Sequence, residues 1–317
     1  MDDGLPWVTV VCTCYNHAAY VKDALNSVLL QTYSKVELIV VDNCSSDNSV
    51  QIIQRYLQEH PSIIFVANSE NKGICKAFNE VSRVAKGKYL IDLAADDILM
   101  PTRIERQVTV FEKLGEEYGI VYSNIELIDE SGAHQGFAVS GKKSPSGDVF
   151  ASLLEKHFLP SPSTMFRAFT FHTLGGYNES LLFEDFDYWL RCARHHLFYY
   201  DDFVSTQKRV LSSSLSAQFY SITSDRMLES TYATFAWASS HLHSSEERRS
   251  FEKGICYYFR QSVWLGHFEV ALKFKGLLDQ PSFSKRSVTG FANLLLKYRL
   301  NTSFLYLHYL KVSKLFR

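Results

Sequence analysis

Short apolar runs alternate with amphipathic stretches over the first hundred residues. Four runs rich in apolar and β-branched residues predict strands at 7–13, 36–41, 63–67 and 89–93. Between them, apolar residues recur at helical spacing, as in Val21, Ala24, Leu25 and Val28. A regular β-α-β-α alternation predicts an α/β fold, with a mostly parallel sheet and helices on both faces.

The pattern changes further along the chain. It predicts a helix over 102–114, a strand over 119–124, a hairpin over 125–139, a strand over 163–167 and a helix over 170–174 that Gly175 and Gly176 close. A further helical stripe contains Phe186, Trp189 and Leu190. From about residue 221 only helical periodicity remains, so we predict a sheet-containing domain over 1–210 and a helical extension over 211–317.

Polar residues follow each predicted strand: Thr13 and Tyr15, then Asp42, Asn68, and finally Asp96 with Asp97. Ligands of open α/β sheets bind at the carboxyl ends of the strands, so a crevice is expected there. Two adjacent carboxylates in apolar surroundings favour a hard divalent cation. A solvated turn or a helix cap explains the same two residues, because Asp is common in both.

Composition narrows the function classes. The formal net charge is −1, which gives no signal for nucleic-acid binding. The six cysteines form no CxxC pair, so buried free thiols in a reducing, cytoplasmic setting are expected. Neither GxGxxG nor GxxxxGK[ST] occurs. The opening MDDGLPW lacks the apolar core of a signal peptide, and no apolar run has the length of a membrane span.

Charge is distributed unevenly. The first 279 residues carry 26 basic and 34 acidic groups, whereas 280–317 carry seven basic and no acidic ones. In a helix from about Thr302, the residues Leu305, Tyr309, Val312 and Phe316 share one side, with Lys311 and Lys314 beside them. Such a helix suits the face of an anionic membrane, at the inner side of the plasma membrane. Packing of the same stripe into the protein core is the alternative.

The ordered motifs resemble glycosyltransferase family 2, whose fold is the Rossmann-like GT-A fold. The resemblance covers about 210 residues and rests on VTVVCTCYNHAAYVKDALNSVLLQTY, VELIVVDNCSSDNS, NKGICKAFN, AADD and LGGYNESLLFEDFDYWLR. The last segment is the most specific of them. It implies an inverting transferase that uses a nucleoside-diphosphate sugar, most simply a UDP-sugar, with Mn²⁺ or Mg²⁺, in cell-surface polysaccharide synthesis.

Site roles follow from the resemblance alone. It implies that Thr13, Tyr15, Asn16 and Asp42 hold the nucleoside. It implies that Asn71 and Gly73 bind the nucleotide sugar, that Lys76 lies where a basic residue could meet phosphate, and that Asp96 holds the ribose or shares the metal. Asp97 would be the main metal ligand, Asp185 the general base and Glu184 its neighbour. The pattern by itself also allows Asp185 to be an ordinary acid in the first turn of a helix.

The chain departs from the family pattern at several positions. Ala94 replaces the first acid of Asp-x-Asp-Asp, Asn43 replaces the second Asp after the second strand, and Phe78 replaces a common Arg. Arg209 matches the Arg of a later strand, but Val210 and Leu211 stand where a His is often found. Ala94, Asn43 and Phe78 support a rival function, a non-catalytic nucleotide-sugar-binding partner in a glycan-assembly complex, whereas Asp97 and Asp185 argue against it. A nucleotidyltransferase is a third candidate, although the chain lacks a Gly-rich basic loop after the first strand.

Overall fold

The chain folds into two compact units, one formed by 1–149 with 158–211 and the other by 150–157 with 212–317. The computed structural model describes residues 4–141, 144–211, 214, 219–278 and 290–315, and of 310–315 it describes the backbone only. Several members of the basic tail, namely Lys285, Arg286, Phe316 and the side chains of Lys311, Val312 and Lys314, therefore lie outside the described residues.

A nine-stranded mixed sheet forms the centre of the first unit, within the described residues. Its strands are β1 (Val8–Cys14), β2 (Val36–Asp42), β3 (Ile64–Ala67), β4 (Tyr89–Ala94), β5 (Ile98–Leu99), β6 (Tyr118–Ile128), β7 (His134–Phe137), β8 (Met165–Arg167) and β9 (Leu197–Arg209). The strand order is β3-β2-β1-β4-β8-β6-β9-β5, with β7 paired to β6. The four strands β3, β2, β1 and β4 are mutually parallel, whereas β8 runs antiparallel between β4 and β6.

The helices follow the chain in the order that the periodicity indicates. They are α1 (Val21–Leu29), α2 (Ser49–Glu59), α3 (Ile74–Ser82), α4 (Arg103–Lys113), α5 (Phe150–Glu155), α6 (Ala168–Thr173), α7 (Asp185–Ala193), α8 (Arg226–Ser239), α9 (Ser245–Leu265), α10 (Phe268–Leu278), α11 (Gly290–Lys297) and α12 (Ser303–Leu315). The predicted α/β class with helices on both faces is confirmed.

Each face of the parallel strands has its own core. On one face, alternate residues such as Val10 and Ile91 pack on Leu25 of α1, Ile53 of α2 and Ile104 of α4. On the other face, Phe78 of α3 contacts an aromatic cluster that comprises Phe166, Phe171, Tyr177 and Tyr188. Burying aromatic side chains contributes roughly 1.5–3 kcal/mol each, so these two layers fix the sheet and the strand ends that emerge from it.

Two strands differ from the sequence prediction. The pattern does not predict β9, because charged and polar residues such as Asp201, Asp202 and Lys208 interrupt its alternation. β9 nevertheless pairs in parallel with β6 along most of its length. β6 continues to Ile128, so the strand predicted over 119–124 and the first arm of the predicted hairpin form one strand, and β7 pairs antiparallel with its end as the second arm.

The second unit is helical in the residues described, as predicted from about residue 221. A capping box starts α9, where Ser244 Oγ accepts the Glu247 N–H at 3.1 Å and the Glu247 carboxylate accepts the Ser244 N–H. Gly254 of α9 lies against α5, where an added Cβ would come 2.1 Å from the Leu154 carbonyl oxygen. A larger residue at this position would separate the two helices. In the described part of the chain, no helix combines the length and the hydropathy that a bilayer crossing requires.

Candidate functional site

The parallel register brings three strand ends together. Cys14 of β1 pairs with Asp42 of β2, and Thr13 pairs with Ala94 of β4. The residues that follow these strands therefore lie side by side at one edge of the sheet. We call this edge, with Thr13, His17, Asp42 and Asp96, the carboxyl edge.

Hydrogen bonds join the loops after β1 and β2. Asn16 has a left-handed backbone (φ 59°), its N–H donates to Ser45 Oγ at 2.9 Å, and its side-chain oxygen accepts the Ser46 N–H at 2.8 Å. Asp47 accepts the Ala18 N–H at 3.0 Å. Burial opposes ionisation of Asp47, but hydrogen bonds from Ser49 and Ala18 outweigh it and lower the pKa of this carboxyl. Asn16 thus shapes the edge through its contacts with the second loop.

Three buried polar atoms at the carboxyl edge lack hydrogen-bond partners among the described residues: Thr13 Oγ1, His17 Nδ1 and Asp42 Oδ1. Asp42 is 1% exposed, and only its other oxygen is bonded, to the Ser45 N–H at 2.9 Å. Tyr15, in contrast, is 45% exposed beside them. Buried polar atoms in folded proteins are nearly always paired, so three orphans at one edge indicate a place for a polar ligand.

A network of amides holds the loop that leads to α3. Asn43 donates to Asn71 Oδ1 at 2.9 Å and accepts from Asn68 and from the Lys72 N–H, both at 3.1 Å. Asn71 Oδ1 also accepts the Gly73 N–H at 3.0 Å, and Gly73 adopts φ 78° at the start of the helix. Asn43 therefore replaces an acid with a side chain that both donates and accepts. In the described residues, the contacts of Asn71 and Gly73 are those that fix the conformation of this loop. Lys76 is exposed on α3.

The two adjacent acids after β4 have different surroundings. Asp97 is 3% exposed, and its Oδ1 accepts the backbone N–H of Arg209 at 3.0 Å. Burial, and next the charge of Asp96, raise the pKa of Asp97 to about 8. Asp96 is 9% exposed, and its Oδ1 lies 3.7 Å from His17 Nδ1. Of the two carboxylates, Asp96 is therefore the one that lies beside His17 at the carboxyl edge.

Arg209 stabilises this turn. Its guanidinium donates to the carbonyl oxygens of Asp129 and Glu130 at 3.1 and 3.0 Å and to that of Asp96 at 3.3 Å. It also stacks over the Tyr20 ring, 4.6 Å from the ring centroid. The arginine that the family resemblance singles out therefore positions the Asp96–Asp97 turn through its backbone.

A second group of acids lies around the start of α7. Asp185 is the first residue of this helix, as predicted. Asp185 Oδ1 accepts the Phe186 N–H at 2.6 Å. Burial, and next the charges of Asp185 and Asp92, raise the pKa of Glu184 well above its ordinary value. Asp92 lies on β4, and its Oδ2 accepts the Tyr177 hydroxyl at 3.2 Å. Three carboxylates, Asp92, Glu184 and Asp185, thus form one electrostatically coupled cluster.

Sequence reasoning missed two members of the site. Asp92 interrupts an apolar run and shares the sheet face of Thr13 and Ala94, two residues from the missing family acid, so alternation could have indicated it. Lys208 of β9 lowers the pKa values of both Asp97 and Glu184, although burial dominates them. The alternation of residues does not predict a strand around Lys208, and the family resemblance draws attention only to the neighbouring Arg209. Phe78, which stands where the family often has Arg, is fully buried.

The donor set is suited to a shared cation. Within the described residues, no group of three or more His, Cys, Asp or Glu side chains could hold a metal ion by itself. Asp96 offers carboxylate oxygen, the atom type that Mg²⁺ and Mn²⁺ prefer. A cation here would therefore need further oxygen ligands from a bound phosphate group. Asp96, with Asp97 behind it, fits that arrangement.

A family model for "Glycosyl transferase family 2" matches residues 9–175, which is more than half of the chain. The chain belongs to glycosyltransferase family 2. The match includes β1 to β4, the carboxyl edge and the Asp96–Asp97 turn, so the predicted family is confirmed.

Curated relatives agree with this assignment. An uncharacterized glycosyltransferase of Rickettsia typhi is 27% identical over 307 residues, which cover 92% of this chain and 89% of the relative. An uncharacterized glycosyltransferase of Rickettsia felis is 31% identical over 207 residues, which cover 64% of this chain. The match spans only 34% of the length of that relative.

Solved structures share the GT-A fold with this chain. S. aureus TarS 1–349 in complex with UDP has a TM-score of 0.63 at 15% identity, and the match covers 92% of this chain and 87% of that one. The mannosyltransferase PcManGT from Pyrobaculum calidifontis, in complex with GDP-Man and Mn²⁺, has a TM-score of 0.58 at 19% identity, and the match covers 93% and 81% of the two chains. At these identities the likeness establishes the fold alone.

Proposed function

We propose that this chain transfers a sugar from a nucleoside-diphosphate sugar, a UDP-sugar, to an acceptor hydroxyl with inversion at the anomeric carbon. Two features together carry the proposal. The carboxyl edge has three buried polar atoms without hydrogen-bond partners in the described structure, and an acid, Asp185, begins α7. TarS binds UDP in a structure with this fold, and PcManGT binds GDP-Man with Mn²⁺.

The carboxyl edge is suited to a nucleoside. The free Asp42 Oδ1 is a buried acceptor that suits the N–H of a uracil ring, and Thr13 Oγ1 lies one register position back on β1. Tyr15 and Asn16 border the proposed nucleoside site, and the ring of Tyr15 is exposed enough to stack on a nucleobase. Asn71, Gly73 and Lys76 border the phosphates, and the newly found Lys208 adds a cation near Asp97 and Glu184.

Asp185 accepts the proton of the acceptor hydroxyl while that oxygen attacks the anomeric carbon. The bond from the anomeric carbon to the diphosphate oxygen breaks, and the nucleoside diphosphate leaves with the electron pair. Glu184 lies beside the base. Mg²⁺ or Mn²⁺ held by Asp96, with Asp97 behind it, would supply charge neutralisation at the diphosphate.

A panel of nucleotide sugars with Mn²⁺, scored by nucleotide release and by the anomeric configuration of the product, tests the proposal. Transfer from a UDP-sugar with inversion supports it. If the chain binds a nucleotide sugar tightly and releases no nucleotide with any acceptor, the non-catalytic partner that Ala94, Asn43 and Phe78 favour replaces it. Transfer of a nucleotidyl group instead would support the third candidate.

Metal use has its own test. UDP should raise the melting temperature only with Mn²⁺ or Mg²⁺ present, and a ligand at a hundredfold excess over Kd stabilises by about 2.7 kcal/mol. Asp96→Asn should abolish the shift. Asp97→Asn discriminates between two roles: loss of the shift at an unchanged melting temperature makes Asp97 the main ligand, and a lower melting temperature with the shift retained makes it a support. Equal shifts with EDTA would contradict metal use.

The second unit adds a proposal about location: α11 and α12 bind an anionic membrane surface, where a lipid-linked or polysaccharide acceptor would be extended. α11 buries Ala292, Leu295 and Leu296 and leaves Phe291 67% exposed. α12 packs Tyr306 on Trp264 and leaves Phe304 82% exposed. The exposed apolar side chains of α11, α12 and the segment between them are Phe291, Leu294, Tyr298, Leu300, Phe304, Leu305 and Tyr309.

Flotation with anionic and neutral vesicles tests this surface. Binding should require anionic lipid and fall with salt, because each basic residue near such a surface contributes about 1 kcal/mol. The double variant Phe291→Ser with Phe304→Ser should lose binding. Phe169→Ser removes an equally exposed aromatic of the first unit and should not. Full-length protein that ignores anionic vesicles would contradict the membrane proposal.

A further inference from the structure

An exposed aromatic ring lies among ordered polar side chains where β7 pairs with β6. Phe137 of β7 is 49% exposed. Its partner on β6 is Glu126, and Glu126 pairs in turn with Gln207 of β9. Residues directly opposite one another on neighbouring strands point to the same face of a sheet, so the three side chains stand side by side. We call this face, with the adjoining His134, the hairpin platform.

Hydrogen bonds fix the polar members of the platform. Glu126 Oε2 accepts from Gln207 Nε2 at 2.9 Å, and Glu126 Oε1 lies 2.7 Å from His134 Nδ1. The centroid of the His134 ring is 5.0 Å from that of the Phe137 ring. The hydrogen bonds from Gln207 and His134 lower the pKa of Glu126, so this carboxylate is charged at neutral pH. The three planar polar groups are therefore oriented before a ligand binds.

The platform retains hydrogen-bonding capacity. Each Glu126 oxygen accepts one bond and has a second lone pair. Among the described residues, Gln207 Oε1 and His134 Nε2 take part in no hydrogen bond, and the His134 side chain is 52% exposed. A ligand on the Phe137 ring would therefore meet one charged acceptor, one amide oxygen and one imidazole nitrogen at its rim.

The chemistry of these groups narrows the ligand. Lys208 alternates to the other face of β9, and the Arg209 guanidinium is bonded to backbone carbonyl oxygens, so Glu126 would repel a phosphate. One carboxylate is too few for a divalent cation, which takes six or more oxygen ligands. A neutral sugar ring fits both parts of the platform. Its C–H bonds form an apolar face that can stack on Phe137, and its hydroxyl groups donate and accept at the rim.

The platform borders the turn that carries Asp96 and Asp97. Gln207 pairs with Ile98, the residue after Asp97. Arg209, two positions further along β9, donates its N–H to Asp97 Oδ1 at 3.0 Å. The rise of a strand places these two positions of β9 roughly 7 Å apart. A sugar on the platform would therefore lie beside the proposed diphosphate site, where an acceptor has to bring its hydroxyl.

The hairpin is anchored independently of the platform side chains. Asn124 of β6 bonds to both backbone groups of Val139, because its amide nitrogen donates to the Val139 carbonyl and its oxygen accepts the Val139 N–H, both at 2.8 Å. At the turn, Arg209 donates to the carbonyl oxygens of Asp129 and Glu130. Substitutions on the platform should therefore leave the hairpin folded, so that they report on binding.

We propose that the hairpin platform is the acceptor subsite and that it binds a neutral hexopyranose ring of the acceptor glycan. The ring stacks its C–H face on Phe137, its hydroxyl groups donate to Glu126, and Gln207 and His134 bond to the remaining oxygens. The inference rests on the proposed function, because it locates the acceptor of that reaction. It also gives the subsite a selectivity, since the charge of Glu126 disfavours acidic sugars such as uronates.

Saturation-transfer NMR with simple glycosides tests the platform without turnover. The probes, at millimolar concentration, are the methyl glycosides of glucose, galactose, mannose and N-acetylglucosamine, with methyl glucuronide and methyl galacturonide as acidic counterparts. At least one neutral glycoside should receive saturation from the full chain, with or without UDP, and more than its acidic counterpart receives. Absence of transfer to every neutral glycoside overturns the proposal. Loss of transfer on addition of UDP does the same, because the sugar would then occupy the nucleotide site, and so does equal transfer to the acidic probes.

Variants assign the binding to the platform. Phe137→Leu keeps an apolar side chain and removes the ring, so the dissociation constant of the bound glycoside should rise roughly 3- to 10-fold. Glu126→Gln should weaken binding by a similar factor and reduce the preference for neutral sugars. The matched controls are Phe169→Leu, at a ring of α6 that is 81% exposed, and Asp202→Asn, at an exposed acid of β9, and both should match the wild type. Wild-type binding by either platform variant overturns the proposal.

These measurements separate the subsite from the reaction. If no nucleotide sugar is turned over, the proposed function fails, whereas glycoside binding still decides whether the platform binds sugar. If transfer occurs and Phe137→Leu keeps the wild-type acceptor KM, the reaction stands and the subsite is wrong. Where both proposals hold, Phe137→Leu should raise the acceptor KM and leave kcat within about twofold, because the platform contacts the acceptor away from the reacting atoms.

Discussion

The carboxyl edge and the region around Arg103 both bury polar side chains, but they satisfy them differently. Arg103 is 0% exposed, and its guanidinium donates to Gln107 Oε1, the Pro162 and Thr164 carbonyl oxygens and Thr206 Oγ1 at 2.6 to 3.1 Å. We call these five residues the Arg103 hub. At the carboxyl edge, Thr13, His17 and Asp42 each leave a buried atom without a hydrogen-bond partner in the described structure, and His17 Nδ1 has only the carboxylate of Asp96 nearby, at 3.7 Å.

This difference separates structural from functional polarity. An orphaned buried group costs about 1–3 kcal/mol, so three of them at one edge indicate that a ligand or water pairs them. Each side-chain nitrogen of Arg103 has a hydrogen-bond acceptor within the hub, and these bonds join α4 to the segment before β8 and to β9. Changes at the carboxyl edge and around Asp185 should therefore cost function, and changes at the hub should cost stability.

The largest expected effect concerns Asp185. Asp185→Asn should lower turnover by roughly 10²–10⁴, because a general base usually contributes that much. The affinity for UDP and the unfolding midpoint should stay near the wild type. Initial rates and isothermal titration measure the two quantities.

Asp187 supplies the matched control in the same helix. Its carboxylate pairs with Arg191 at 2.8 Å and is buried, so Asp187→Asn should lower the melting temperature and leave turnover within about tenfold. Wild-type turnover in Asp185→Asn would make Asp185 a first-turn acid and would favour the non-catalytic alternative.

The next largest effect concerns the Arg103 hub. Arg103→Met keeps the length of the side chain but leaves the Gln107 amide oxygen and the Thr164 carbonyl without their donor. The Pro162 carbonyl keeps only the Thr206 hydroxyl as a donor. The free energy of unfolding should fall by roughly 3–5 kcal/mol. Urea unfolding of the full chain measures it.

Arg106, one turn along α4, is the matched comparison. Its guanidinium pairs with Asp201 at 2.7 Å but is 47% exposed, and exposed pairs contribute only about 0–1 kcal/mol. If Arg103→Met and Arg106→Met lower the free energy of unfolding by similar amounts, the Arg103 hub stabilises the fold no more than an exposed ion pair does.

The sequence predicts the helices and strands whose apolar residues recur at a regular spacing, and it misses those that depend on tertiary contacts. β1 to β4 and the start of α7 at Asp185 follow from periodicity, because a buried strand or an amphipathic helix records its environment in every second or every third to fourth residue. β9 does not, since Asp201, Asp202 and Lys208 break its alternation while β6 supplies the pairing.

The predicted site residues show the same limit. The motifs bring Thr13, Asp42 and Asp96 to one edge, and the structure places all three there. The roles of neighbouring residues depend on contacts far along the chain. Asp97 bonds to Arg209, 112 residues away, and Asp92 bonds to Tyr177, 85 residues away. No local pattern in a single sequence reports such pairs.

A smaller effect is expected at Asp42. Asp42→Asn removes the charge and exchanges one acceptor oxygen for an amide donor. Hydrogen bonds to charged groups contribute about 1.5–3 kcal/mol, so UDP affinity should fall roughly 10- to 100-fold. Titration calorimetry at pH 7 measures it. Unchanged affinity would move the base-binding site away from the carboxyl edge.

The smallest effect gives the sharpest comparison, because one substitution should have opposite consequences in the two regions. Thr13→Val removes a buried hydroxyl that has no partner in the described structure, so the ligand-free protein should gain up to about 1 kcal/mol while UDP affinity falls roughly 3- to 10-fold. Thr206→Val removes a hydroxyl that accepts from Arg103 at 2.7 Å and donates to the Pro162 carbonyl at 3.0 Å. It should lose about 1–3 kcal/mol of stability and leave UDP affinity unchanged. Urea unfolding without ligand and UDP titration of both variants decide the matter. If Thr13→Val destabilises the free protein as Thr206→Val does, the Thr13 hydroxyl is part of the fold, and the carboxyl edge loses one of its three ligand-seeking atoms.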